Sequence, residues 1–128
     1  MNYDVVIIGV GVVGSAVALG LAQQGHKIAI VDKSSNPPNS PRHLSVNKKS
    51  SAFLDLLGVW DAVKPSSMSY SRIQAWDREG TGKVEFSAQD IGENSLGFIV
   101  KEGDLQKHLI TSLGQLRVDI FWSRELVN

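Results

Sequence analysis

"DVVIIGVGVVGSAVALGLAQQG", residues 4–25, opens the chain with a long run that carries no charge after Asp4. Four readings compete for such a run: a secretion signal, a membrane span, a buried core, and a turn built to hold a ligand. A secretion signal needs basic residues ahead of its apolar part, and the only charged side chain there is Asp4. A spanning helix needs roughly 20 predominantly apolar residues, so length alone would nearly suffice. The internal texture speaks against it. Residues 3–8 are continuous and rich in β-branched side chains, which predicts a strand buried on both faces. Residues 13–24 are rich in Ala and Leu, which predicts a helix. Between the two lies Gly9-Val10-Gly11-Val12-Val13-Gly14.

The spacing GxGxxG has a mechanical meaning where a strand passes into a helix. The first Gly permits a tight turn, the second lets a pyrophosphate approach the backbone, and the third lets the helix pack closely on the strand. The phosphates then face the helix N-terminus, where unpaired N–H groups and the macrodipole favour negative charge. The context supports this reading. "KIAIV", residues 27–31, has the composition of a second buried strand, and Asp32 follows it. An acid about 20 residues beyond the glycines stands where it accepts hydrogen bonds from the hydroxyls of an adenosine ribose. The bland alternative is a glycine-rich helix in an apolar core, with Asp32 a turn residue. Strand, glycines, helix, strand and acid in that order favour a dinucleotide cradle, whose apolar character follows from burial between layers.

Composition removes several other classes. The 128 residues carry 13 Lys and Arg against 13 Asp and Glu, so the chain lacks the basic excess that phosphate neutralisation on nucleic acid demands. It contains no cysteine, which excludes disulfides, thiolate metal sites and thiol redox chemistry together. Redox work would therefore need a bound cofactor. His26, His43 and His108 stand far apart and fall in no ligand spacing, so no metal site is expected. His26 and His108 read as surface residues, whereas His43 adjoins Arg42 and stays open as a neighbour of the cofactor. Without a basic groove, Trp60, Trp76 and Trp122 read as packing residues, and Lys48 and Lys49 as the solvated face of a helix.

Beyond Asp32, "KSSNPPNSPRH" is an unusually long strand-to-helix connection. Residues 45–57 predict a helix with Ala52, Phe53, Leu56 and Leu57 inward and Gly58 ending it in a left-handed cap; residues 59–63 add a turn before Pro65. "SRIQAWD" (71–77) and "KVEF" (83–86) alternate with period two around "REGTG", which predicts a hairpin belonging to a second layer or domain. Residues 104–116 place Leu105, Leu109, Leu113 and Leu116 at helical spacing with Asp104 as N-cap, and "RVDIFW" (117–122) reads as a strand. The expected fold class is α/β: the first part of a doubly wound, Rossmann-like domain, with three core strands, two helices on them and an inserted hairpin. A complete sheet of this kind has about five or six strands, so an incomplete protein is expected.

Four stretches carry a resemblance: "DVVIIGVGVVGSAVALGLAQQG", "PRHLSVNKKSSAFLDLLGVWDAV", "IQAWDREGTGKVEF" and "LGFIVKEGDLQKHLITSL". Together, and in this order, they resemble the N-terminal part of the FAD-dependent polyprenyl-phenol hydroxylases of ubiquinone biosynthesis, within the para-hydroxybenzoate hydroxylase-like monooxygenases. The resemblance implies FAD as the dinucleotide, with Gly9, Gly11 and Gly14 at the pyrophosphate and Asp32 at the adenosine ribose. Val12, Val13 and Lys33 complete that candidate set, and Arg42 matches the family's Arg on the flavin side. A planar, permanently charged fork suits pyrophosphate; a solvated loop Arg is the alternative. The resemblance further implies a flavin reduced by NADPH, O2 as oxidant, and a hydroxyl delivered to a polyprenylated phenol. It implies a cytoplasmic protein peripheral to the inner membrane, because such a substrate is a lipid, and leaves a biosynthetic complex or a homo-oligomer among its assemblies.

The chain departs from the family's pattern in two ways. Relatives usually carry Glu where this chain has Asp32, and Glu-Asn or a nearby Arg where it has Lys101-Glu102-Gly103. The "EGD" of residues 102–104 is similar to the family's later Gly-Asp motif but stands in the wrong place, so capping by Asp104 explains it better. That motif and the family's Asp-Gly motif would follow residue 128, so part of the flavin site is expected elsewhere, and no catalytic residue is named. Two classes stay open: the cofactor-binding portion of a monooxygenase, and a non-catalytic fragment of the dinucleotide fold with weak or no cofactor binding. An NAD-dependent dehydrogenase fits the glycines and Asp32 but accounts for neither Arg42 nor the hairpin.

Overall fold

The computed structural model describes residues 2–37 and 39–127. In chain order the elements are β1 (Val5–Ile8), α1 (Val12–Gln23), β2 (Ile28–Val31), β3 (His43–Asn47), α2 (Lys48–Leu56), α3 (Trp60–Val63), β4 (Met68–Tyr70), β5 (Arg72–Trp76), β6 (Lys83–Ser87), β7 (Gly97–Lys101), α4 (Glu102–Gln115) and β8 (Asp119–Phe121). Short 3-10 turns at Lys64–Ser66 and Ala88–Ile91 complete the path.

The strands β1, β2 and β8 form a parallel sheet with β2 in the centre. Val5 to Ile8 lie opposite Ile28 to Val31, and Ala29 to Val31 opposite Asp119 to Phe121. Parallel neighbours need a crossover, and α1 supplies it between β1 and β2. Its return is made by Gly25, whose φ of +90° suits glycine, while the Gly25 and His26 N–H groups close onto the carbonyls of Ala22 and Leu21. The helices α1 and α4 pack against each other. Leu19, Ile30, Leu105, Leu109 and Leu113 are all essentially excluded from solvent. Truncating any of these leucines to Ala would cost about 2–5 kcal/mol. The architecture is α/β with a Rossmann-like parallel sheet, and the three core strands, the two helices and the hairpin of β5 and β6 all form.

A second sheet, antiparallel, has the order β3–β7–β4. Sequence periodicity leaves this sheet unseen and places residues 45–57 in one helix. Ser45, Val46 and Asn47 instead belong to β3, where pairing with β7 overrides local propensity, and Asn47 caps α2 by accepting the Ser50 N–H at 2.8 Å. The inward face also differs from the expected one: Ser51, Leu54 and Leu57 are buried, whereas Ala52, Phe53 and Leu56 are exposed. Gly58 does end it in the left-handed region, at φ +78°.

Five further expectations need correction. Asp104 is not an N-cap: α4 begins at Glu102, with Lys101 in the cap position, and Asp104 lies in its first turn, where a negative charge still favours the helix dipole. Leu116 falls beyond the end of α4 and is exposed. β1 is not buried on both faces: Val5 and Ile7 are half-buried on one, while Val6 and Ile8 on the other are exposed; in β2, by contrast, Ile28, Ala29 and Ile30 are buried in succession. Trp60 packs edge-on to Phe98 with ring centres 5.0 Å apart, but Trp76 stands exposed on the hairpin. His108 is half-buried rather than at the surface, whereas Lys48 and Lys49 are exposed as expected, Lys48 standing 3.9 Å from the equally exposed Glu93.

Candidate functional site

The turn from β1 into α1 assigns each glycine a separate task. Gly9 has φ +100°, a conformation L side chains rarely adopt, and its N–H still donates to the Val31 carbonyl at 2.8 Å. Around Gly11 a side chain would meet nothing within 4 Å, so the backbone there stands open. At Gly14 an added Cβ would collide with the Gly9 carbonyl oxygen; only glycine lets α1 approach the turn this closely. Val12 and Val13 begin the helix, where the first N–H groups have no carbonyl before them to accept their hydrogens.

Val10 is tied down through both of the peptide groups that flank it. Its N–H donates to Asp32 Oδ2 at 2.8 Å, and its carbonyl accepts from Ser15 Oγ and Gln106 Nε2, each at 2.9 Å. Asp32 Oδ1 in turn accepts the Ser34 N–H at 2.7 Å. Partial burial pushes the Asp32 carboxyl up, but the hydrogen bonds from Val10 and Ser34 and the charge of Lys33 outweigh it and hold the carboxyl below its ordinary value. Asp32 is therefore an ionised acceptor near neutral pH. A cleft of about 440 Å³ opens beside it, lined by Gly9, Asp32, Lys33, Ser34 and Arg124 among others.

Arg42 stands apart from this cleft. Its guanidinium is largely exposed and lies 3.7 Å from Glu102, which also accepts the Ser40 hydroxyl at 2.5 Å. The Glu102 N–H donates to the Arg42 carbonyl at 2.9 Å, fastening the end of the long loop to the start of α4. A groove of about 310 Å³ runs between Val12 and Val13 of α1 and Leu44 and Ser45 of β3, the strand that starts directly after Arg42. His43 is exposed in β3, opposite Lys101.

The structure thus gathers Gly9, Gly11, Val12, Val13, Gly14, Asp32 and Lys33 at the end of the parallel sheet and leaves Arg42 apart from them, paired with Glu102 at the start of α4. Sequence reasoning missed Ser15, Ser34 and Gln106. A signal for the last was present, since Gln106 shares the inward stripe of α4 with Leu109 and Leu113, where a polar residue stands out. Among the described residues no group of three or more His, Asp or Glu side chains stands ready to hold a metal ion, and no helix is long and apolar enough to cross a membrane. Open backbone at Gly11, helix-start N–H groups and an ionised acid beside a cleft fit a dinucleotide in chemistry and order.

Comparison with known proteins agrees. The FAD binding domain family model matches residues 2–128. The chain is similar to the 3-demethoxyubiquinol 3-hydroxylase of Escherichia coli (strain K12), 34% identical over 117 residues, covering 86% of this chain and 30% of that protein. It is also similar to the mitochondrial ubiquinone biosynthesis monooxygenase COQ6 of Dictyostelium discoideum, 25% identical over 93% of this chain and 28% of that one. Among solved structures, the flavin-dependent monooxygenase PieE, in complex with FAD and substrate, shares the fold with a TM-score of 0.79 at 17% identity, over 100% of this chain and 25% of its own. The chain spans under a third of the length of these curated relatives. By its fold, its glycine turn and the match over nearly its whole length, the chain belongs to the FAD binding domain family, with FAD as its dinucleotide.

Proposed function

We propose that this chain is the FAD-binding portion of a flavin-dependent aromatic monooxygenase that hydroxylates a polyprenylated phenol in ubiquinone biosynthesis, using NAD(P)H and O2. The observation that carries the reading is the braced glycine turn with its ionised Asp32, in a chain whose relatives include ubiquinone hydroxylases. In this reading Gly9, Gly11 and Gly14, with the N–H groups of Val12 and Val13, receive the pyrophosphate. Asp32 accepts from the adenosine ribose with Lys33 beside it, and Arg42 stands toward the flavin. FAD, when bound, supplies hydride acceptance and oxygen activation; the protein supplies binding, orientation and exclusion of water. No residue of this chain is assigned to acid–base work in the hydroxylation step.

Residues 70–100 take the role of a first piece of the substrate-side sheet. The hairpin of β5 and β6 is separate from both other sheets, and Ile73, Val84 and Phe86 form an exposed apolar side. A lipid substrate brings the protein to the surface of the membrane without a spanning segment.

The first test is a visible absorbance spectrum of the chain after mixing with FAD and gel filtration. A retained flavin band supports the cofactor site, whereas a folded, colourless chain would favour a non-catalytic fragment. For the polypeptide that carries this segment, NADPH consumption stimulated by a prenylated phenol, with one oxygen atom added to the ring, supports the reaction. NADPH consumption indifferent to that phenol, with no hydroxylated product, counts against it.

A further inference from the structure

Gln106 lies on α4, 96 residues from Val10 in the chain, yet its Nε2 donates to the Val10 carbonyl at 2.9 Å and the residue is only 4% exposed. A buried carboxamide costs free energy unless it is bonded, and its neighbours on the inward stripe, Leu109 and Leu113, show that an apolar side chain suits this layer. The polar residue therefore serves the Val10 peptide rather than the core.

The geometry of a peptide unit says how. The unit is planar and trans, so the Val10 carbonyl and the Gly11 N–H lie in one plane and point in opposite directions. Ser15 Oγ and Gln106 Nε2 occupy both lone pairs of that carbonyl and fix it toward the protein interior. The Gly11 N–H then points the other way, away from Ser15 and Gln106, and the Gly11 backbone is open, since a Cβ there would meet nothing within 4 Å. We infer that Gln106 is a positioning residue for the cofactor's diphosphate: from outside the glycine motif it holds the Val10–Gly11 peptide so that its N–H faces the phosphates. Ser15 shares the task from within α1, but only Gln106 couples the turn to α4. The inference rests on the reading of this turn as the pyrophosphate site.

The test compares ADP and adenosine binding to the wild-type chain and to Gln106→Met, which keeps the length and loses the donor, while the Gly11 amide resonance is followed by NMR. ADP affinity should fall about five- to tenfold, as expected for one lost hydrogen bond to a preorganised group, with adenosine affinity little changed and the ADP-induced shift of Gly11 diminished. A second variant, Gln106→Glu, regains a donor only when its buried carboxyl is protonated. Its ADP affinity relative to wild type at the same pH should therefore recover as pH falls, which a general loss of packing would not produce. Equal ADP affinity and an equal Gly11 shift in wild type and Gln106→Met would overturn the inference alone. Parallel losses for ADP and adenosine, with no recovery at low pH in Gln106→Glu, would reduce Gln106 to packing. Failure of the wild-type chain to bind ADP would overturn the site reading and the inference together.

Discussion

The turn between β1 and α1 and the hairpin of β5 and β6 are both short and glycine-bearing, yet they are held in opposite ways. At the turn, the two peptide groups flanking Val10 are fixed by side chains from the end of β2, from α1 and from α4, and the third glycine touches the first. On the hairpin the links beyond the ladder are local: Glu85 reaches Arg72, Gln74 and Lys83 on one side, while Ile73 and Phe86 face solvent on the other. A two-stranded hairpin is at best marginal alone. The difference teaches that the turn's backbone is held by the chain's own side chains, the kind of support that preorganised binding requires. The hairpin is left as a surface. Substitutions should therefore be costly at the turn and cheap on the hairpin.

The largest effect is expected at Gly14. In Gly14→Ala the new Cβ meets the Gly9 carbonyl oxygen, a backbone atom that cannot swing away, so α1 or the turn must shift. Stability should fall by about 3 kcal/mol, read from the urea midpoint, with loss of retained FAD. Gly114→Ala in α4 is the control. Its Cβ meets nothing within 4 Å, and it should be neutral or stabilising by up to about 1 kcal/mol. Equal losses in the two variants would break the contrast.

Next is Asp32→Asn, which removes the charged acceptor shared by Val10 and Ser34 and should weaken FAD binding by about tenfold. It also carries a pH signature. The folded Asp32 carboxyl titrates below its ordinary 3.8, so its contribution to stability is complete above that value and is lost as pH falls through the lower, folded one. Acid titration of stability should thus be shallower in Asp32→Asn than in wild type below pH 3.8. An identical acid limb would mean that the Val10 and Ser34 contacts do not persist in solution.

The legibility of the sequence follows the same division. The β1–α1–β2 unit could be read because its evidence is local: β-branched strands, an Ala-rich helix and glycines whose spacing has one mechanical use. The hairpin was legible through period-two alternation and "REGTG". The sheet of β3, β7 and β4 was not, because its strands are three to five residues long and their partners lie far away in the chain. Propensity over residues 45–57 favoured helix throughout, and only pairing with β7 draws Ser45 to Asn47 into a strand. Of the site, the glycines and Asp32 were legible. Gln106 was not, since its meaning depends on a contact across 96 positions. Arg42 was found by resemblance, but its pairing with Glu102 appears only in three dimensions.

That pair comes third. Arg42 is 72% exposed and 3.7 Å from Glu102, itself 20% exposed, and a pair with so open a guanidinium contributes about 0–1 kcal/mol. Arg42→Ala should therefore leave the thermal midpoint nearly unchanged while lowering FAD affinity severalfold, whereas Glu102→Gln should release Arg42 and leave affinity equal or higher. A stability loss beyond that range without loss of affinity would make Arg42 a fastener of the loop rather than a cofactor contact.

The smallest effect belongs to the hairpin and probes the other half of the comparison. Phe86 lies opposite Ile73, both open to solvent, with Ala75 and Val84 on the same side. Phe86→Ser removes an aromatic ring that touches little, so stability should change by less than about 0.5 kcal/mol, while binding of an apolar dye falls. The same change at a central position such as Ile30, with 0% exposure, would cost several kcal/mol, on the order of a large-to-small core substitution. A loss above about 1 kcal/mol in Phe86→Ser would mean that the apolar side is covered in solution, since exposed side chains do not produce it. Sedimentation of the wild-type chain then identifies the cover: a dimer that dissociates in Phe86→Ser would assign it to a second copy. A monomer throughout would mean that the hairpin folds back onto its own chain, and the contrast with the glycine turn would close.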